Sequence, residues 1–220
     1  MNIKRIIFWL GFIIILALIV WGVVVAMNKE IVPPVQSDGS PAPISATDSV
    51  RGPEGAPVTL IEYSDFQCPA CAAYYPIVER LLAEASSTVR FVYRHYPLPQ
   101  HRIAEPAAQA AEAAGRQGKF WDMSGLIFVN QLSWQDLSPI QAKSVFKGYA
   151  ERLGLNVANF EKDYEDSAIK AKISADYRDG QTIGVNATPT FFVNGKAITN
   201  PPNYESFKVI IDAAAAESLD

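Results

Sequence analysis

The sequence predicts an α/β domain carrying a helical insertion and preceded by one apolar segment of membrane length. Three observations carry that prediction. An apolar strand pattern, Val58 to Tyr63, runs directly into a helix that opens with Cys68-Pro-Ala-Cys71. From about residue 103 to 180 the apolar spacing is almost wholly helical, after which Thr190 to Val193 returns to strand chemistry. Ahead of all this, Ile6 to Met27 is 22 residues without a charge.

At 220 residues the chain allows one medium domain plus accessories. A formal charge of −4 and the lack of a basic stripe give no support for a nucleic-acid partner. Residues 1–5 carry Lys4 and Arg5 and are expected to stay cytoplasmic. As a helix, residues 6–27 span roughly 33 Å, enough for a hydrocarbon core of about 30 Å. Trp9 and Trp21 lie near its ends, where interfacial aromatics belong. The expectation is an uncleaved single-pass anchor; a cleaved signal peptide is the alternative. Either way the cysteines lie outside the cytosol. Residues 28–56, with Pro33, Pro34, Pro41, Pro43 and Pro53 among Ser, Gly, Asp and Thr, read as a linker.

The main domain is expected over 57–217. Its first strand suits a central position covered on both faces. Glu62 shares a face with Val58 and Leu60 by the period-two rule. It is either a strand-end charge reaching solvent or a partly buried proton acceptor for Cys71, with its pKa raised by desolvation. A helix over 69–86 follows, and Val89 to Arg94 reads as a second strand parallel to the first. The insertion reads as four helices. The first has an alanine face through Ala104, Ala107, Ala108, Ala111 and Ala114; the second runs from Lys119 to Gln131. The third opens on the capping box Ser138-Pro-Ile-Gln141 and stops at Gly154. The fourth carries Phe160, Tyr164, Ala168, Ala171 and Ala175 on one face. Asn194-Gly195 predicts a two-residue hairpin joining Thr190–Val193 to Lys196–Ile198, and a last helix covers roughly Tyr204 to Ala215.

The chain's two cysteines are separated by two residues at a helix start, the arrangement of a redox thiol pair. The first helical amides lack intrahelical partners and point outward, so a thiolate there is hydrogen-bonded at the positive end of the dipole. Cys68 is therefore the expected nucleophile and Cys71, one turn inside, the resolving thiol. The dipole supplies roughly 0.3–2 kcal/mol, about one pKa unit, so further lowering requires direct hydrogen bonds. Pro69 suits the first helical turn, where its missing N–H is not needed. A purely structural disulfide would close too short a loop to add much stability. A Cys2His2 zinc site would need His95 and His101, but their spacing does not fit a finger.

Cys68-Pro-Ala-Cys71, Thr188-Pro189 before Phe-Phe-Val-Asn-Gly, and Gln117-Gly-Lys-Phe-Trp121 in the insertion resemble the DsbA-like branch of the thioredoxin superfamily, in particular its membrane-anchored bacterial members. The resemblance covers about residues 55–217 and implies a thioredoxin fold with a helical insertion. It implies that Cys68 attacks, Cys71 is the buried partner, and Glu62 is the acidic residue beneath the pair. It further implies that Pro189 is a cis-proline facing the disulfide. Thr188 then offers its backbone to substrate, while Pro69 and Ala70 flank the attacking sulfur. Strong oxidants of the family carry histidine where this chain has Ala70, so a milder potential is expected here. His95 and His101 read as structural or rim residues. The Asn186-Ala-Thr188 sequon overlaps the active-site loop and is discounted.

The function implied is an enzyme that passes a Cys68–Cys71 disulfide to exported cysteine-containing proteins, in the direction of an oxidase. No metal or organic cofactor is implied, since the dithiol is the redox centre. A quinone-linked membrane oxidase, DsbB-like or VKOR-like, is the expected redox partner, at the outer face of a bacterial cytoplasmic membrane. Two alternatives remain: a disulfide reductase or isomerase working in reverse, and a non-enzymatic anchored protein with a chaperone-like groove.

Overall fold

The computed structural model describes residues 39–218. The anchor expected over 6–27 lies outside them; among the described residues no helix is long and apolar enough to cross a membrane. Five strands form one mixed sheet: β1 (Ser49–Arg51), β2 (Val58–Ser64), β3 (Val89–His95), β4 (Thr190–Val193) and β5 (Lys196–Ala197), in the order β1-β3-β2-β4-β5. β2 and β3 are parallel, and the other neighbours run antiparallel. The central β2 is buried along almost its whole length, which is why its sequence shows no polar alternation.

The linker expected over 28–56 is not wholly linker: Ser49–Arg51 pairs with Phe91–Tyr93 as an edge strand. Three residues amid Pro and Gly carry too little periodicity to be read as a strand. Gly52, which ends β1, has φ +92, and a Cβ there would meet the Val89 carbonyl at 2.1 Å, so only glycine fits.

Helix α1 (Pro69–Glu84) crosses from β2 to β3. The insertion contains α2 (Ala104–Gly115), α3 (Phe120–Val129), a short α4 (Gln131–Trp134), α5 (Pro139–Arg152), α6 (Val157–Tyr164) and α7 (Ser167–Thr182). Its alanine face is real: Ala107, Ala108, Ala111 and Ala114 are buried and let neighbouring helices approach closely. The capping box at Ser138 forms as expected, with Gln141 Oε1 accepting from Ser138 N.

One expected helix is broken in two, and the second, expected over Lys119 to Gln131, is followed by a short helix that was not expected. The second ends at Asn130, whose side-chain amide donates back to the Leu126 carbonyl at 2.7 Å before α4 begins. The fourth divides at Asp166, which accepts from Ala168 N and caps α7, while Arg116 bridges Asp163 and Asp166 across the break. The face expected to run on from Phe160 and Tyr164 changes at the break: Ala168, Ala171 and Ala175 are exposed, and α7 buries Ile169, Ile173 and Asp176 instead.

Helix α8 (Tyr204–Glu217) is capped by Asn203 and lies against α1, with the Phe207 ring 5.0 Å from Phe191. Asn194 and Gly195 both take positive φ, as a two-residue hairpin turn requires. One core lies between the sheet and α1, α8 and the insertion; Ile61, Tyr63, Val92, Tyr96, Val185 and Phe192 form another on the opposite face.

Candidate active site

Cys68 is the N-cap of α1, with extended backbone (φ −73, ψ 122), and Pro69 takes the first helical position. The strand-to-helix turn is held on three sides. Gln131 Nε2 donates to the carbonyls of Phe66 (2.8 Å) and Cys68 (3.0 Å). Gln67 accepts from Ile103 N at 2.6 Å and donates to the Gln135 carbonyl at 2.7 Å. Asp65, fully buried, accepts from the backbone N–H of Gln67 and Leu98 and pairs with His101 Nδ1 at 2.6 Å. Burial outweighs those donors and holds the Asp65 carboxyl above its usual range.

The cysteines stand as free thiols, both buried. A hydrogen bond from Cys71 brings the Cys68 thiol down to about 5; Thr188 and the backbone N–H groups of Cys71 and Ala70 add to it, and burial opposes it. Direct hydrogen bonds, rather than the dipole alone, therefore ionise this sulfur. Cys71 moves the opposite way. Burial, donation to Cys68 and the Glu62 charge push its thiol well up. The Asp65 N–H, 3.5 Å from Cys71 Sγ, fixes that sulfur over the end of β2.

Glu62 lies beneath the pair, and burial pushes its carboxyl up to about 7. The solvent-reaching alternative is excluded, since the residue is 5 % exposed. A cavity of about 10 Å³ separates it from the half-buried Arg51–Glu79 ion pair nearer the surface.

Across the active-site face, the Thr188–Pro189 bond is cis. In its thiol form Cys68 Sγ donates to the Thr188 carbonyl at 3.4 Å, and the buried Thr188 favours the thiolate. Pro69 and Ala70 are exposed beside Cys68, so Cys68, Cys71, Glu62, Pro69, Ala70, Thr188 and Pro189 form one locus.

Sequence reasoning missed Asp65, Gln67 and Gln131. The Asp65-x-Gln67 pair immediately before Cys68 was a usable turn signal; Gln131, 63 positions away, carried none. Val129 and Leu132, on either side of Gln131, expose 74 % and 84 % of their surface and give this edge an apolar rim. The two histidines are structural, His101 on Asp65 and the buried His95 on Glu112 at 2.8 Å.

A family model described as thioredoxin matches residues 45–213. The Na(+)/H(+) antiporter NhaA 3 of Salinispora tropica is 41% identical over 172 residues, which cover 78% of this chain and 25% of that protein. The chain thus spans about a quarter of the length of the curated relatives it matches. Among solved structures, a thioredoxin-like oxidoreductase from Silicibacter pomeroyi superposes with a TM-score of 0.65 at 26% identity, covering 78% of this chain and 94% of the other. The fold is also that of alpha-DsbA1 from Wolbachia pipientis, with a TM-score of 0.70 at 20% identity over 80% of this chain and 94% of that one. With a family match over most of the chain and a Cys-x-x-Cys pair at the start of α1, this protein belongs to the thioredoxin family.

Proposed function

We propose that the chain introduces disulfides into exported cysteine-containing proteins at the outer face of a bacterial cytoplasmic membrane, held there by residues 6–27. A substrate thiolate attacks the Cys68–Cys71 disulfide at Cys68. The mixed disulfide is then displaced by a second substrate thiolate, leaving the substrate oxidised and the enzyme a dithiol. Glu62 exchanges a proton with Cys71, and a membrane quinone-linked oxidase takes the electrons back.

The observation that carries this reading is the divergence of the two thiols, Cys68 drawn down to about 5 and Cys71 pushed up, over a carboxyl near 7. At pH 7 an ordinary thiol is protonated, so holding Cys68 ionised stabilises the reduced form by roughly 2–3 kcal/mol. In a two-electron couple that is about 60 mV in the oxidising direction. The exposed Val129 and Leu132 give an unfolded apolar segment a surface beside Cys68.

The test is the reduction potential of the pair against glutathione, together with oxidation of a reduced model protein. A potential well above the roughly −270 mV of thioredoxin, with disulfides formed, supports the oxidase. A potential near that value, with efficient insulin reduction, reverses the direction.

A further inference from the structure

On the α1 side of the sheet the alternating residues of β2 and β3 place four polar side chains side by side. Glu62 lies opposite Tyr93 and Ser64 opposite His95 in the parallel register, and each is at most 5 % exposed. Cys71 Sγ sits above the end of this ladder, on the N–H of Asp65. The Ser64 hydroxyl is within reach of the Glu62 carboxyl, the Cys71 thiol and the Tyr93 hydroxyl, yet it is locked to none of them. A buried hydroxyl without a fixed partner is uncommon and calls for a reason.

We infer that Ser64 relays the proton between Cys71 and Glu62. This rests on the reading of Glu62 as the proton acceptor. When a substrate thiolate breaks the Cys68–Cys71 bond, Cys71 leaves as a thiolate. Ser64 Oγ then gives its proton to Cys71 Sγ and takes one from the Glu62 carboxyl, which becomes a carboxylate. In the reverse direction Cys71 loses its proton through the same hydroxyl and attacks Cys68, forming the Cys68–Cys71 bond and expelling the substrate thiolate. Atoms and charge balance in both directions.

Other groups nearby do not replace it. Tyr93 touches Ser64 but meets Glu62 and Cys71 only through charge. His95 is tied to Glu112 through Nε2, and its unpartnered Nδ1 does not act on Glu62, while Asp65 is filled by two N–H groups and His101. Arg51 and Glu79 act on Glu62 from the far side of the cavity, where they are paired with each other. Cys68 is the sulfur being exchanged.

The experiment uses the reduced protein and a chromogenic aromatic disulfide, dithiobis-nitrobenzoate, in stopped flow across pH. Attack by Cys68 releases one coloured thiolate, and resolution by Cys71 releases the second. Ser64→Ala removes only the oxygen. It is expected to slow the second release about a hundredfold near pH 7, at the low end for a proton-transfer contribution, to move its pH midpoint up, and to leave the first release unchanged. Glu62→Gln is expected to slow the same step, with no further loss on adding Ser64→Ala, and Ser64→Thr to restore the rate. A wild-type second release in Ser64→Ala, with Glu62→Gln slow, overturns the relay and leaves Glu62 acting directly on Cys71. A wild-type rate in Glu62→Gln overturns the Glu62 reading and the relay with it. Equal slowing of both releases in Ser64→Ala makes its role structural and also overturns the proposal.

Discussion

Two buried polar clusters lie on opposite faces of the same pair of strands, built from alternate residues, and they are wired in opposite ways. On one face Arg94, 3 % exposed, is saturated: its guanidinium reaches Asp48 (3.0 Å), Asp179 (2.7 Å), the Tyr63 hydroxyl and the carbonyls of Ala42 and Pro43. Tyr63 in turn donates to Asp179. On the other face Glu62 has burial without a counter-charge in contact, and the hydroxyls of Ser64 and Tyr93 have no fixed partner. Saturation holds the Asp48 carboxyl below its usual range, because the Arg94 and Ser45 hydrogen bonds outweigh burial, while the unsaturated face leaves Glu62 near 7. A filled network locks chain segments together; an unfilled one keeps protons movable.

The largest expected effect breaks the saturated face. Arg94→Met should destabilise the fold by about 3–5 kcal/mol, since Asp48 and Asp179 are left as buried charges without their cation. It should leave the Cys68 titration unchanged, because no Arg94 contact reaches the thiol pair. Urea unfolding gives the first quantity and thiolate absorbance near 240 nm the second. A shifted Cys68 midpoint would show that the two faces are coupled.

On the unsaturated face the same logic predicts a gain. Glu62 has its folded pKa raised above the usual 4.5. Its cost to folding is therefore absent below that value, grows as pH rises, and is complete above about 7. Removing the ionisation with Glu62→Gln should stabilise the protein by roughly 3 kcal/mol at pH 8 and hardly at all at pH 4. Urea midpoints at the two pH values check it. An equal effect at both would mean that the carboxyl is not desolvated.

The difference between the clusters also marks what the sequence could convey. The site's spine was legible because it is local: strand, turn, Cys68 and Cys71 lie within one stretch, and the Glu62 face follows from period two. The hairpin at Asn194-Gly195 and the box at Ser138 were legible for the same reason. The Arg94 cluster was not, since Asp48, Arg94 and Asp179 lie far apart in the chain and nothing in their local patterns couples them. Nor was β1, held by its pairing with β3 rather than by its own three residues. Asp166 carried a local N-cap signal, hidden within a helical spacing that continues on both sides of it.

A smaller effect separates the redox states. Cys68 has a depressed folded pKa, so its contribution is present above the unfolded value and is lost as pH falls through about 5. Between pH 7 and pH 4 the reduced protein should lose roughly 2–3 kcal/mol of stability relative to the oxidised protein, which has no thiolate to stabilise. Paired urea titrations of the two forms measure it, with pH effects on the remaining groups cancelling. A constant difference would place the ionisation elsewhere.

The smallest expected effect tests how far the thiolate can be tuned without touching either cluster. Ala70 is exposed in the turn, and its methyl group cannot donate to Cys68. The lowering of Cys68 is supplied instead by Cys71, Thr188 and two backbone N–H groups. A histidine at this position adds one protonatable donor near the sulfur, worth on the order of one pKa unit, or about 1.4 kcal/mol. In a two-electron couple this is about 30 mV. Ala70→His should therefore lower the Cys68 midpoint and make the potential more oxidising by about that amount, while the Glu62-dependent step keeps its pH profile. An unchanged or lower potential would mean that the existing donors already saturate the thiolate, as the ion-pair partners saturate Arg94. The distinction between a filled and an unfilled cluster would then extend to the sulfur itself.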